Sequence, residues 1–173
     1  MDNIKEQFSD LYDQYIDKIY RFIFIKVSSQ EIAEDLTAEA FLRAWEALKK
    51  HSNPHPRRIE HPSAFLYKIA RNLVIDYYRQ KDKLQSVNLE AVQIYDPSAN
   101  LEEKAILGSD VDAVRKALSG IRDEYREVIT WHYIDELKVP EIARIANKSE
   151  GAVRVLLHRA LNSLRESLEV KEA

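Results

Sequence analysis

Apolar residues recur at steps of three and four from the start of the chain: Ile4, Phe8, Leu11, Tyr15, Ile19 and Phe22. That spacing follows the helical repeat and predicts one helix over about the first 27 residues. Ser28-x-x-Glu31 then reads as a capping box that opens a second helix. Its inner face would be Ile32, Leu36, Ala40, Ala44, Trp45 and Leu48. The stretch from His51 to His61 holds Pro54 and Pro56 and runs into Pro62, so it cannot continue a helix and is predicted to be a loop. Pro62 suits the first turn of a third helix, with Phe65, Ile69, Leu73 and Tyr77 turned inward. Three amphipathic helices make one small bundle.

The periodicity fades from Lys83 to Gly108, where Ser86, Pro97 and Ser98 are interspersed with acids, and this segment reads as a linker. Helical spacing resumes over Val111–Leu118 and Tyr125–Ile134. A pair of short helices follows, joined by a three-residue turn. Ile142, Ala143 and Ala146 form the inner face of the first of the pair, and Val153, Leu157, Ala160, Leu161 and Leu164 that of the second. Asn147 stands where the turn needs a left-handed backbone, which Asn tolerates well. Ser149 is a good N-cap for the second helix. The expected fold is therefore all-α: two small helical bundles, 1–82 and 109–173, joined by a linker over 83–108. The second bundle contains a helix-turn-helix.

Composition narrows the chemistry. Only 3 glycines and 32% charged residues favour a helical chain. With no cysteine, disulfides, thiolate zinc sites and thiol nucleophiles are excluded. No basic segment followed by an apolar run opens the chain, and no stretch approaches the roughly 20 apolar residues of a membrane span, so a cytoplasmic protein without membrane insertion is expected. The net charge of −3 argues against nucleic acid only until its distribution is considered. From Arg43 to Lys83 ten Lys/Arg oppose four Asp/Glu, and from Arg144 to Arg165 five oppose one. Screening acts over roughly 10 Å, so two basic faces can meet phosphates although the remainder is acidic.

Lys68, Arg71, Asn72, Ile75 and Arg79 fall at spacings of three and four on the third helix, with Tyr78 beside them. Lysine and arginine neutralise phosphates, Asn pairs with base edges, and an aromatic ring offers a stacking surface. On the last helix Arg154, His158 and Arg159 face outward near the start, the end that enters a major groove in helix-turn-helix proteins, with Ser149 at its cap. Solvated helix faces would look similar on charge alone. A metal enzyme is the weaker alternative. His51, His55 and His61 lie in a proline-rich loop without the i, i+4 geometry of a ligand pair. Nothing resembles a phosphate-binding glycine loop or an activated nucleophile, so no catalytic residue, metal ligand or cofactor is expected.

Two runs carry a resemblance. Glu34-Asp35-Leu36-Thr37-Ala38-Glu39-Ala40-Phe41-Leu42-Arg43-Ala44-Trp45, followed by Phe65-Leu66-Tyr67-Lys68-Ile69-Ala70-Arg71-Asn72-Leu73-Val74-Ile75-Asp76-Tyr77, resembles the second conserved domain of extracytoplasmic-function (ECF) sigma factors. Tyr125-Arg126-Glu127-Val128-Ile129 through Tyr133, with Gly151-Ala152-Val153-Arg154 and His158-Arg159-Ala160, resembles their fourth domain. The order and the intervening linker also match. The resemblance implies a promoter-specificity subunit of bacterial RNA polymerase. Its first domain would bind the β′ clamp helices and open the −10 element; its second would bind the β flap and read the −35 element. Promoter DNA and core polymerase would be its partners, with an anti-sigma factor as a further candidate.

Carried over by position, Glu34, Asp35, Glu39 and Arg43 match the polymerase-binding helix. Arg71 and Asn72 match the −10 helix, which Lys68, Tyr78 and Arg79 extend. The His51–His61 loop matches the cradle of a flipped-out base, and Arg154, His158 and Arg159 match the −35 helix. The chain departs from the family pattern at Phe65 (usually Trp), Asn147 (usually Gly), Lys148 (usually apolar), and Val155 and Leu156 (often Ser and Arg). The last two departures mean that a family-consensus −35 sequence does not follow. A stand-alone helix-turn-helix regulator is the alternative, but it has no need of the Glu34–Asp35–Glu39 surface or of a basic-aromatic helix suited to single strands.

Overall fold

A computed structural model describes residues 2–51, 58–87 and 109–172. Every regular element among them is helical. The chain falls into two compact units, Met1–Arg58 with Leu66–Gly108, and Ile59–Phe65 with Ser109–Ala173. Most of the expected proline loop, residues 52–57, and most of the expected linker, residues 88–108, lie outside the described residues. No described helix is long and apolar enough to cross a membrane.

In the first unit α1 (Asp2–Val27) realises the opening heptad-like stripe, burying Leu11, Tyr15, Ile19 and Phe22. Its last turns, Phe22 to Ile25, are buried on every side, so this end of α1 is the centre of the bundle rather than a surface helix. The helix stops at Ser28, which adopts φ 57° and donates its N–H to the Phe24 carbonyl at 2.9 Å. α2 (Gln30–His51) starts after Ser29, whose Oγ accepts the Ile32 N–H at 3.4 Å. The expected capping box from Ser28 to Glu31 is therefore corrected by one residue. Ser28 is the left-handed stop of α1, and Ser29 is the cap of α2.

α2 packs on α1 through Ala33, Thr37, Ala40, Phe41, Ala44 and Leu48, while Ile32, Leu36 and Trp45 are only half-buried. The three alanines are fully covered, and their small side chains let the helix axes approach closely. α3 (Pro62–Val87) begins at its proline, as expected. It buries Leu66, Tyr67, Ala70, Leu73 and Val74, leaving Phe65, Ile69 and Tyr77 half-covered. The inner stripe is thus rotated by one residue from the expected one. The apolar arc is wide, and the large Tyr67 ring takes its centre, set edge-on to Phe22 with centroids 5.4 Å apart. α3 also continues to Val87, past Asp82 where the sequence pattern ended the first bundle.

The second unit contains α4 (Ser109–Leu118), α5 (Asp123–Ile129), α6 (Val139–Ala146) and α7 (Glu150–Glu172). The single helix expected over Tyr125–Ile134 is instead α5 followed by one π-helical turn, Thr130–Ile134. Asp135 N–H reaches the Thr130 carbonyl at 2.9 Å, and Leu137 N–H reaches that of Trp131 at 2.8 Å. The wider turn brings Thr130 and Trp131 inward together, and Trp131 is completely buried. Also buried in this unit are Leu118, Ile121, Val128, Ile142, Ile145, Val153 and Ala160. Leu161 and Leu164 are half-buried, and Ile145 replaces Ala146 in the core. His132 donates to or accepts from nothing exotic: its Nδ1 lies 3.0 Å from the Leu137 carbonyl, tying the ring to the chain.

Candidate nucleic-acid and partner interfaces

Glu34 and Asp35 stand exposed on α2, Glu34 on the flank of its buried alanine stripe and Asp35 roughly opposite that stripe. Glu34 accepts from Gln30 Nε2 at 2.9 Å. One turn further on, Arg43 Nε meets Glu39 Oε1 at 2.8 Å, with both side chains more than 40% exposed. An exposed i, i+4 pair contributes only about 0.3–0.5 kcal/mol to the helix, so a partner could exchange it at little expense. The three acids thus lie on a single helix.

The sequence reading missed the groove beside them. Phe8, Tyr12 and Ile16 of α1 and Ala38, Phe41, Leu42 and Trp45 of α2 line a cavity of about 740 Å³, rimmed by Lys5, Asp17 and Glu34. Phe8 contacts Trp45 at 5.2 Å and Tyr12 contacts Phe41 at 5.2 Å, both with steeply inclined rings. Leu42 is 51% exposed and Tyr12 44%. The signal was present in the sequence: Tyr12 and Leu42 are large apolar residues off the inner stripes of their helices.

On α3 the residues Lys68, Asn72, Ile75 and Arg79 form one exposed row, and Arg71 is half-buried at its edge. Tyr78 has a different placement from a free stacking platform. Its hydroxyl donates to the Lys26 carbonyl near the C-terminus of α1, and its ring stands 5.2 Å from that of Tyr77. Tyr78 therefore fixes α3 against α1, satisfying a terminal helix carbonyl, while part of the ring remains exposed.

The helix-turn-helix is built by its caps. Glu141 accepts the Lys138 N–H at 2.9 Å, with Pro140 in the first turn of α6. Asn147 takes φ 54° and ψ 47°, and its N–H and that of Lys148 both reach the Ala143 carbonyl. Ser149 Oγ accepts the Ala152 N–H at 3.1 Å, as a Ser N-cap should. Lys148, at the turn, is exposed and held by Glu124 at 3.3 Å. Ser149 is thus engaged in starting α7, whereas Arg154, His158 and Arg159 project from it. Arg154 contacts Glu150 at 3.4 Å, and Asn162 Nδ2 lies 3.4 Å from His158 Nε2. Among the described residues no group of three or more His, Cys, Asp or Glu is placed to hold a metal ion. His51 and His55 of the proline loop are not among those whose side chains are described.

Comparison with known proteins agrees with this layout. The family pattern of Sigma-70 region 2 matches residues 11–84, and that of Sigma-70, region 4 matches residues 111–164. The chain is 32% identical over 173 residues to the ECF RNA polymerase sigma factor SigW of Bacillus subtilis, covering 95% of this chain and 90% of that protein. It is 31% identical over 164 residues to the ECF RNA polymerase sigma factor BldN of Streptomyces coelicolor, covering 94% of this chain but 61% of BldN. Among solved structures, CnrH in complex with the cytosolic domain of CnrY is similar with a TM-score of 0.66 at 23% identity, over 94% of this chain and 88% of that one. The sigma factor RpoE of Bartonella quintana, in complex with the anti-sigma factor NepR, gives 0.64 at 24% identity, over 94% of this chain and 97% of that one. At these identities the two structures share the fold with this chain.

Proposed function

This chain belongs to the ECF sigma factors of the sigma-70 family, and we propose that it directs transcription initiation as a promoter-specificity subunit of bacterial RNA polymerase in the cytoplasm. One observation supports this reading above the alternative of a solitary regulator. A single chain carries two separate faces suited to nucleic acid and, besides them, an exposed acidic helix next to an apolar groove. A solitary duplex reader has no use for the last feature.

In this reading Glu34, Asp35, Glu39 and Arg43 meet the β′ clamp helices of core polymerase. Charge at such a rim governs association rate and salt sensitivity, and the groove supplies apolar area. The Lys68–Asn72–Arg79 row, with Arg71 at its edge and Tyr78 behind it, engages the opened −10 strand. Ser149 sets the start of α7, from which Arg154, His158 and Arg159 meet the −35 duplex, while the second unit binds the β flap. CnrH is solved with the cytosolic domain of CnrY, and RpoE with the anti-sigma factor NepR. An anti-sigma factor is the corresponding regulator here, competing with polymerase for the first unit.

The test is purification with core polymerase followed by mapping the 5′ ends of transcripts made in vitro. Discrete start sites that depend on the added chain are expected. Sequence-specific duplex binding unaffected by polymerase, with no new start sites, would favour the solitary regulator.

A further inference from the structure

Near the start of α7 the outward centre is held by Val155, with Arg154 and His158 to one side and Arg159 to the other. Val155 lies two residues from each of the buried Val153 and Leu157, which at about 100° per residue places it roughly opposite both. Arg154 is one residue from Val153 and three from Leu157, and so sits on the flank. Val155 is 50% exposed. One turn earlier is Gly151, and a Cβ built there would meet nothing within 4 Å. Packing within the chain therefore gives no reason for a glycine inside a helix, where it is less favourable than alanine. A close approach from outside does. Gly151, Ala152, Val155 and Leu156 also line one depression of about 340 Å³, together with Arg159 and the Lys148–Glu124 ion pair.

We propose that Val155 is a specificity-determining residue: its methyl groups receive the C5-methyl of one thymine of the −35 element. Gly151 and Ala152 let the major-groove floor come close enough, and Arg159 flanks the contact at a phosphate, while Lys148 stays paired with Glu124 beside it. The major groove distinguishes thymine by this methyl, and an apolar side chain is its natural complement. A serine at this position would offer a hydroxyl and recognise a different edge. This inference rests on the −35 reading proposed above and goes further, in assigning one base to one side chain.

Holoenzyme assembled from core polymerase and the full chain is used to select from promoters with a randomised −35 segment. Deoxyuridine then replaces each enriched thymine in turn, which removes only the methyl. The wild type is expected to lose about four-fold in affinity at one thymine, the loss of one buried methyl-sized group. Val155→Ser, at an exposed position, should still assemble, lose the thymine preference and ignore the deoxyuridine. Val155→Thr, which retains one methyl, should keep part of the discrimination. An enriched motif that ignores deoxyuridine at every thymine, or a thymine preference unchanged in Val155→Ser, overturns the methyl contact. A wild type that enriches no −35 motif overturns the underlying −35 reading, a result distinct from either of those.

Discussion

Replacing Gly151 with alanine should move stability and function in opposite directions. Gly151 is in the first turn of α7, after the Ser149 cap and Glu150, and an added Cβ meets no atom within 4 Å. The substitution therefore gains helix propensity, and restricts the unfolded chain, without a clash. About 0.5–1 kcal/mol is the usual gain, with the lower end apt for a first turn. In a unit of this size that corresponds to a rise in melting temperature of roughly 2–6 °C. On the DNA side the same methyl would intrude where the helix face approaches the groove. Overpacking of a close contact costs about 1–3 kcal/mol, so −35 affinity should fall by roughly 5- to 150-fold. Thermal denaturation of the full chain, read by circular dichroism, gives the first quantity. Equilibrium binding of holoenzyme to promoter duplex, compared with a −35-less template, gives the second. A variant that is more stable and binds the −35 duplex as well as the wild type would refute the close-approach argument. A variant with a lowered melting temperature would refute the claim that Gly151 has no packing role.

Three further outcomes are expected. Asp35→Lys should weaken association with core polymerase most strongly at low salt while leaving the circular dichroism spectrum unchanged, and equal affinity at low salt would remove Asp35 from the docking surface. Asn72→Ala should lower open-complex formation, followed by permanganate reactivity of unpaired thymines, more than it lowers closed-duplex binding; a template with a pre-opened −10 bubble should retain part of the defect. Trp131→Ala should destabilise the chain by about 3–5 kcal/mol, because a completely buried indole at the centre of the second unit leaves a cavity; a shift in chemical denaturation under 1 kcal/mol would show that the unit does not depend on it.

Much of this architecture was legible because helical periodicity and caps are local properties. Asn147 and Ser149 declared the turn of the helix-turn-helix, and both adopt the roles their chemistry favours. The stripes of α2 and α3 were displaced by one residue because a wide apolar arc does not say which edge meets the neighbour. Tyr67 and the alanines of α2 settled that by size, a tertiary effect. The π turn at Thr130–Ile134 was not legible, since it leaves the apolar spacing nearly intact and changes only which carbonyl each N–H reaches. The basic residues proposed for the nucleic-acid faces stood out because charge at helical spacing is conspicuous, and the acidic set on α2 came from the family resemblance. Val155 and the α1–α2 groove were harder to find, since an apolar residue in a helix is ordinarily assigned to the core. Only exposure in the folded chain separates the two cases.

The division of tasks among the polar residues of the second unit has a consequence for variation. Glu141, Asn147 and Ser149 complete backbone hydrogen bonds and so fix where α7 begins and how it leaves the turn. Arg154, His158 and Arg159 have only exposed, i, i+4 or solvent-facing placements. Their contribution to folding is therefore small, because exposed pairs add little. Substituting a cap costs about 0.5–2 kcal/mol and shifts every outward side chain of α7 at once. Substituting an outward residue leaves the fold intact and alters a single contact. Under the proposed −35 reading, a scaffold arranged in this way lets preference change by one side chain at a time while the helix that presents it stays in place. Val155 is the position where this freedom is greatest, since it is central to the outward face, exposed, and opposite the residues that form the core.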